Sequence, residues 1–289
     1  MRKTLMLCDS CCDLSLEQEI KYGIRIVNCS VEMNGMPYED RVAINSATIY
    51  DEVEKTNILP HTSQVTVIQF MEAFLLATKE NYTDIICVTM NAKGSGTYSA
   101  AKHAVALLPS EYPALEGKLH IRVIDSTTYS YVISMPILLG LERLERGDDP
   151  DDVADEMQDW YKNSITLVGL YNLQYAKRSG RLNACAAFVG DILGLKPIMS
   201  ISGENKVLEK TRGDKTLIPK MAQLYENMAQ DIDGDYIIAY GNNPEQAKEL
   251  AAAIKKLGGK DPYLMGPIGT CVAINAGPKM LGLGFKTKQ

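Results

Sequence analysis

The chain has 289 residues, of which 46% are hydrophobic and 23% charged, a balance typical of a globular protein with one large or two modest domains. The net charge of −6 argues against nucleic acid as the main partner, because phosphate binding needs a basic face. Seven cysteines, an odd number without the density of a disulfide scaffold, indicate a reducing cytoplasm. The first apolar stretch ends at Asp9, far short of the roughly 7–15 apolar residues that a signal segment needs. No segment approaches the roughly 20 apolar residues of a membrane span. We expect a cytoplasmic protein with no stable membrane insertion.

Strands and helices alternate through the first half of the chain. Short apolar runs predict strands at 4–8, 24–31, 84–90 and 120–124. Amphipathic periodicity and caps predict helices at 15–22, 45–54, 66–80 (or from Gln64), 98–108, 131–146 and 151–161. Ser15 and Gln18 form a capping-box pattern, and Asn34-Gly35 is typical of a hairpin turn. This alternation implies an α/β fold with a mostly parallel sheet, helices on both faces, and ligands at the carboxyl ends of the strands.

The second half of the chain has a different pattern. Strands are predicted at 165–170, 198–202, 205–211 and 235–240, and a helix at 244–257, before a glycine-rich end. The segment 172–182 starts a further helix that breaks at Gly180. We therefore predict two domains, an N-terminal α/β domain over 1–160 and a C-terminal α/β domain over 161–289. A segment near 60–80 could cross between them.

A loop of glycines and hydroxyls, Lys93-Gly94-Ser95-Gly96-Thr97-Tyr98, follows the strand at 84–90 and opens a helix. The unpaired N–H groups and the dipole of a helix start favour an anion there, and Ser95 and Thr97 add hydroxyl donors. The loop is neither a Walker A motif nor a GxGxxG motif. In a second interpretation, which stays open, the glycines only let helix and strand pack closely.

Two strand ends carry the same dipeptide. Asp9-Ser10 and Asp125-Ser126 each follow an apolar strand directly. They could be two ordinary caps, or two strand ends that meet the 94–97 loop in one crevice.

Metal and catalytic groups are sparse. Cys8, Cys11, Cys12 and Cys29 lack the paired spacing of a metal site, with no histidine near. The acidic run at 147–152 precedes a helix, where it complements the helix dipole. We expect no metal and no catalytic residue.

Eight motifs in order resemble those of the DegV family. They are Asp9-Ser10-Cys11-Cys12-Asp13-Leu14, Thr62-Ser63-Gln64, Ser95-Gly96-Thr97-Tyr98, Ile124-Asp125-Ser126, Ser179-Gly180-Arg181-Leu182, Leu195-Lys196-Pro197-Ile198, Lys210-Thr211-Arg212-Gly213, and Ile268-Gly269 with Asn275-Ala276-Gly277-Pro278. The resemblance covers essentially the whole chain. It implies a two-domain bacterial protein that carries a long-chain fatty acid, such as palmitate or stearate, between its lobes. Some members present this acid to a fatty-acid kinase, which makes the acyl phosphate.

The resemblance also implies roles for individual residues. Thr62 and Ser95 match hydroxyls that hydrogen-bond the carboxylate, with Gly96, Ser126 and Asn275 assigned to the same site. Arg212 matches an arginine that the family uses near the phosphate and the kinase. Arg181 occupies another family arginine position and could face the phosphate or the partner, or only tie the lobe together. At Asn275 the family commonly has histidine, and asparagine cannot take a proton near neutral pH. Gly94 and Ser179 also depart from the family pattern.

The tail of such a ligand needs an apolar slot. Each buried methylene is worth ~0.8 kcal/mol, so the tail supplies affinity and the polar groups supply orientation. Candidate slot residues are Phe188, Val189, Ile192, Leu193 and Ile198, each of which could equally be ordinary core.

We expect a lipid carrier with no chemistry of its own. One alternative is a phosphotransferase related to dihydroxyacetone kinase, which would need a nucleotide loop with magnesium carboxylates or a histidine that captures a carbonyl. Another is a ligand-sensing regulatory module, in which binding would change an oligomer or a partner contact.

Overall fold

The computed structural model describes residues 2–180 and 195–288. The strands in this part of the chain are β1 (Thr4–Asp9), β2 (Arg25–Val27), β3 (Ser30–Met33), β4 (Met36–Glu39), β5 (His61–Ser63), β6 (Asp84–Thr89), β7 (His120–Asp125), β8 (Ser164–Leu170), β9 (Leu195–Ser202), β10 (Glu204–Arg212), β11 (Tyr236–Tyr240), β12 (Leu264–Pro267) and β13 (Met280–Lys286). The α-helices are α1 (Leu16–Tyr22), α2 (Ser46–Thr56), α3 (Val67–Lys79), α4 (Thr97–Glu111), α5 (Tyr131–Glu145), α6 (Pro150–Lys162), α7 (Gln174–Ser179), α8 (Leu217–Met228), α9 (Pro244–Lys256) and α10 (Thr270–Ala276). None of these helices is both long enough and apolar enough to cross a membrane.

A parallel sheet with the strand order β2-β1-β6-β7 forms the N-terminal lobe. Its central strands β1 and β6 are almost entirely buried, as expected for strands covered on both faces. Helices α3 and α4 pack against each other, as do α5 and α6, and each pair contacts the sheet. All four carboxyl ends of a parallel sheet lie at one edge, so β1, β6 and β7 bring their following loops together there.

A six-stranded mixed sheet with the order β10-β9-β8-β13-β11-β12 forms the C-terminal lobe. Only β11 and β12 pair in parallel. Helices α8 and α9 bury one face around Tyr225, Leu281 and Phe285. The opposite face joins the N-terminal lobe through α5, and one apolar core continues from Ile86 through Val132 to Ile237.

A small antiparallel sheet, β4-β3-β5, completes the N-terminal part. The sequence predicts one strand over 24–31, but the structure divides it between two sheets. The division occurs at Cys29, whose N–H donates to the hydroxyl of Ser10 (3.0 Å) and whose carbonyl accepts from Asp40 N (3.1 Å). The backbone at this point therefore serves other elements and leaves the parallel ladder.

Local signals in the sequence are confirmed where they depend on short-range geometry. The Ser15 hydroxyl accepts from Gln18 N while the Gln18 side chain accepts from Ser15 N, which completes the capping box of α1. Asn34 and Gly35 have φ of 55° and 73°, as the two-residue hairpin between β3 and β4 requires. Asp149 caps α6 by accepting from Asp151 N.

The two main sheets separate in sequence near residue 163, since α6 ends at Lys162 and β8 begins at Ser164. The boundary near 160 stays a prediction. β5 packs against α10, so the chain at 61–63 lies where the two lobes meet.

Candidate functional site

A cavity of about 660 Å³ lies between the carboxyl edge of the parallel sheet and one face of the mixed sheet. Its polar wall includes Thr62, Ser63, Gln64, Lys93, Gly94, Ser95, Gly96, Ser99, Tyr129, Ser130 and Asn275. Its apolar wall includes Val132, Val168, Ile201, Ile237, Ala239, Ile268, Val272, Met280 and Gly282. The cavity is therefore amphipathic and belongs to both lobes.

The loop that carries Ser95 is held by the two repeated aspartates. Asp9 Oδ2 accepts from Met90 N (2.6 Å) and Asp9 Oδ1 from Cys11 N (3.0 Å). Asp125 Oδ1 accepts from Ala92 N (3.0 Å) and Thr127 N (2.9 Å). Each aspartate thus caps its own strand end and fixes the neighbouring loop. Both interpretations of the Asp-Ser pairs therefore hold for the aspartates.

Ser95 stands just before the start of α4, where its hydroxyl contacts Thr97. Its Oγ accepts from Thr97 N (3.3 Å) and lies 2.9 Å from Thr97 Oγ1. When Thr97 donates in that contact, Ser95 keeps its own O–H for a ligand. Gly96 is the N-cap of this 15-residue helix and has no side chain to cap the first turn, where Ser95 Oγ bonds the Thr97 N–H and the cap leaves the next N–H groups open. A helix start with open donors and a hydroxyl is a site for an anion.

The glycines of the loop are required by close approach of side chains. A Cβ on Gly94 would lie 1.9 Å from the Tyr129 hydroxyl, and one on Gly96 would lie 2.1 Å from Gln64 Oε1. Room for the Tyr129 and Gln64 side chains therefore explains these two glycines, which is a different packing role from the helix–strand contact of the second interpretation. The same packing brings Tyr129 and Gln64 to the cavity beside the donors, so an anion site is compatible with it.

Thr62 and Asn275 reach the cavity from two different elements. Thr62 lies on β5 opposite Val31, half-buried, and no described residue hydrogen-bonds its hydroxyl. Asn275 lies on α10, where one amide hydrogen donates to Cys271 O (2.7 Å) and leaves the second hydrogen and Oδ1 for other partners. The structure thus brings to one cavity four of the residues that are expected to bind the carboxylate: Thr62, Ser95, Gly96 and Asn275.

Other predicted residues lie elsewhere. Ser126 is fully buried outside the cavity wall, where its Oγ donates to Thr128 O and accepts from Thr128 N, both at 3.3 Å. Arg212 is exposed at the end of β10, and Ile198 is buried on the α8 side of the mixed sheet. Arg181 and the slot candidates Phe188, Val189, Ile192 and Leu193 lie outside the described residues.

Two cross-strand rows of the mixed sheet form the apolar wall. One row runs Asn205–Ile201–Thr166–Gly284–Ile237, and the next runs Val207–Met199–Val168–Gly282–Ala239. Val132 of α5 packs over Gly284, because a Cβ there would lie 2.4 Å from it. Within the described part of the chain no side chain packs closely over Gly282, so this glycine and the small side chain of Ala239 leave space for a ligand at this part of the wall.

Buried carboxyls and thiols lie behind the polar wall. Burial raises the pKa of Asp9 and of Asp13 to about 7. Asp13 accepts from the Ser130 hydroxyl at 2.5 Å. Hydrogen bonding with Cys29, followed by burial, raises the pKa of Cys271, so this thiol is protonated at neutral pH. No three His, Cys, Asp or Glu side chains in residues 2–180 and 195–288 form a group that could hold a metal ion.

Sequence reasoning missed the elements at the end of the chain. The glycine-rich region forms α10 and β13, which supply Asn275, Met280 and Gly282 to the wall. Gln64 and Tyr129 were also missed as packing partners. The glycines at 94 and 96 were the available signal that two side chains approach this loop closely.

Comparison with known families decides the relationship. The sequence model described as "Uncharacterised protein, DegV family" matches residues 3–288. The chain belongs to the DegV family. A DegV domain-containing protein of Clostridium perfringens is 28% identical over 267 residues, 92% of each chain. A DegV relative of Thermotoga maritima named fatty acid-binding protein is 26% identical over 293 residues, 99% of each chain.

A solved structure shows the same fold. The stearic acid-binding protein of Eubacterium ventriosum matches with a TM-score of 0.86 and 24% identity over 98% of this chain and 97% of that chain. The predicted α/β fold, with a mostly parallel sheet in the N-terminal half of the chain, is confirmed for this DegV chain.

Proposed function

We propose that this DegV protein binds a long-chain fatty acid in the 660 Å³ cavity and performs no chemistry of its own. The carboxylate lies at Thr62, Ser95, Gly96 and Asn275, and the tail lies on the two cross-strand rows. The observation that carries the proposal is the cavity itself, with hydroxyl and helix-start donors on one wall and aliphatic side chains on the other. The fatty-acid ligands named for DegV relatives support it.

The polar wall suits a carboxylate without a buried cation. Lys93 is the only charged side chain in the described part of the wall, and it is exposed and paired with Glu204 (2.9 Å). Neutral donors beside a helix start satisfy a carboxylate through hydrogen bonds of roughly 1.5–3 kcal/mol each. They leave its oxygens accessible, as a carrier requires if another protein is to modify the carboxylate.

The tail dominates the affinity in this arrangement. At ~0.8 kcal/mol per methylene, a chain of ~14 methylenes gives about 11 kcal/mol before ordering costs. The tail therefore supplies most of the affinity, while the head group fixes the orientation of the acid and adds a smaller share to its retention.

The carrier presents its carboxylate to a fatty-acid kinase-type partner in this proposal. Arg212 is exposed, and within the described residues it has no carboxylate partner, so its guanidinium is accessible to a phosphate or a partner surface. Arg181 has the same proposed role by its position in the family motif. Asn275 can hold the carboxylate by hydrogen bonding, and because an ionised carboxylate attacks the terminal phosphoryl group of ATP without losing a proton, the transfer step needs no proton acceptor at this position.

A titration with radiolabelled palmitate tests the binding step. Thr62→Ala/Ser95→Ala should weaken binding by about 100-fold or more, because two hydrogen bonds to a charged group, at roughly 1.5–3 kcal/mol each, are lost. The matched control Thr62→Ser/Ser95→Thr retains both hydroxyls and should bind within a few-fold of the wild type. Equal palmitate affinity of the alanine variant and the wild type would contradict the placement of the carboxylate at this wall.

The presenting step is tested separately with ATP, palmitate and a fatty-acid kinase from a DegV system, with acyl phosphate trapped by hydroxylamine. Arg212→Ala should lower acyl-phosphate formation while leaving palmitate affinity unchanged. Transfer that is equally fast with Arg212→Ala would exclude Arg212 from this role.

A further inference from the structure

The slot wall contains one buried pair of hydroxyls that the head-group site does not use. Thr128 Oγ1 and Thr166 Oγ1 lie 2.7 Å apart, and the two residues are 2% and 7% exposed. Thr166 belongs to β8 and lines the cavity, whereas Thr128 lies outside the cavity lining in the loop between β7 and α5. A buried polar pair is unusual here, because Ile201, Val168 and Ile237 around it on this wall are aliphatic.

Counting protons shows a spare donor at this pair. Two hydroxyls carry two hydrogens, and one of them is used in the contact between them. Within the described residues neither side chain has another hydrogen-bond partner. When Thr128 donates to Thr166, the hydroxyl hydrogen of Thr166 remains for an acceptor in the cavity. A buried donor left without an acceptor costs about 1–3 kcal/mol.

A plain alkyl tail cannot satisfy that donor. Thr166 stands between Ile201 and Gly284 in its cross-strand row, with Val168 two residues along the same strand and face. Methylenes of a saturated chain packed against this row would cover the hydroxyl and exclude water from it. Asn205 lies in the same row two strands away, roughly 10 Å from Thr166, and adds a second polar side chain to the wall.

We propose that the slot takes a fatty acid whose chain carries an oxygen, a hydroxyl or keto group, that accepts a hydrogen bond from Thr166. This inference rests on the proposed function and names the ligand class more narrowly. Thr128 acts as a positioning residue, since its donation to Thr166 directs the Thr166 hydrogen toward the ligand. The head group keeps its place at the polar wall, so the oxygen lies part-way along the chain.

Competition titrations with stearate, oleate and the 10- and 12-hydroxystearates test this proposal on the full-length protein. We expect at least one hydroxystearate to bind about 5- to 30-fold more tightly than stearate, the factor of one hydrogen bond in an apolar site. Thr166→Val, which has the same shape without the hydroxyl, should remove this preference. Thr166→Ser should retain it.

Stearate binding to each variant serves as the folding control. If both hydroxystearates bind no more tightly than stearate to the wild type, the proposal is overturned, and it is overturned equally if Thr166→Val keeps the preference. An equal gain with oleate, which bends but carries no chain oxygen, would assign the effect to shape and also overturn it. Failure of all four acids to bind would instead refute the proposed function.

Discussion

Filling the slot at Gly282 should block long acids while sparing short ones. Gly282 lies between Val168 and Ala239 in the second cross-strand row, and a Cβ there would meet nothing closer than the Ala239 Cβ at 3.4 Å. Gly282→Leu therefore projects a four-carbon side chain into the cavity. It displaces about four methylenes of the ligand, which at ~0.8 kcal/mol each is roughly 3 kcal/mol, or about 200-fold in affinity.

The assay is a chain-length series of saturated acids from decanoate to stearate, measured by calorimetry. Gly282→Leu should bind stearate about 200-fold more weakly than the wild type, and the loss should shrink as the acid shortens. Gly282→Ala is the matched control, because its methyl group fits at ordinary contact distance, and it should bind every acid nearly normally. A loss with Gly282→Leu that is the same for all chain lengths, or no loss, would refute the placement of the tail on this sheet.

Four further outcomes follow from the described contacts. Because burial raises the pKa of Asp13 to about 7, the folded state loses stability as pH rises from about 4 to 7. Asp13→Asn should therefore gain on the wild type across this range in urea unfolding, by roughly 4 kcal/mol between about pH 4 and pH 8. Asp125→Ala removes the acceptor of Ala92 N and Thr127 N and should weaken palmitate binding about 10-fold. The dependence of acyl-phosphate formation on Arg212 should change little in this variant. Tyr161→Phe should lower the unfolding free energy by roughly 1–3 kcal/mol, since the buried hydroxyl donates to Ile133 O, and Ser15→Ala by about 1 kcal/mol through loss of a cap.

The polar half of the site could be predicted from the sequence because its signals are local. Glycines and hydroxyls after an apolar strand identified the Ser95 loop, and the aspartates at 9 and 125 identified strand ends that do meet it. Ser126 shows the limit of such signals, because a hydroxyl after a strand can bond its own backbone neighbours and never reach the cavity. Thr62 came only from the family resemblance, since a three-residue strand has no readable pattern.

The apolar half could not be predicted, because both faces of the mixed sheet are aliphatic. Ile198 and Ile201 on β9 are both buried, yet Ile201 lines the cavity and Ile198 packs with the α8 helix. Only the register between strands decides which face a residue occupies, and register is a long-range property. The contribution of β13 was missed for a related reason, since Gly282 and Gly284 weaken the strand pattern while one of them opens the slot and the other admits Val132.

Mass spectrometry of the small molecules released on denaturing the freshly purified protein tests the central claim most directly. The account predicts a long-chain fatty acid in near-stoichiometric amount in the wild type and its depletion in Thr62→Ala/Ser95→Ala. A wild-type protein that carries no fatty acid and takes up none when palmitate is added would contradict it.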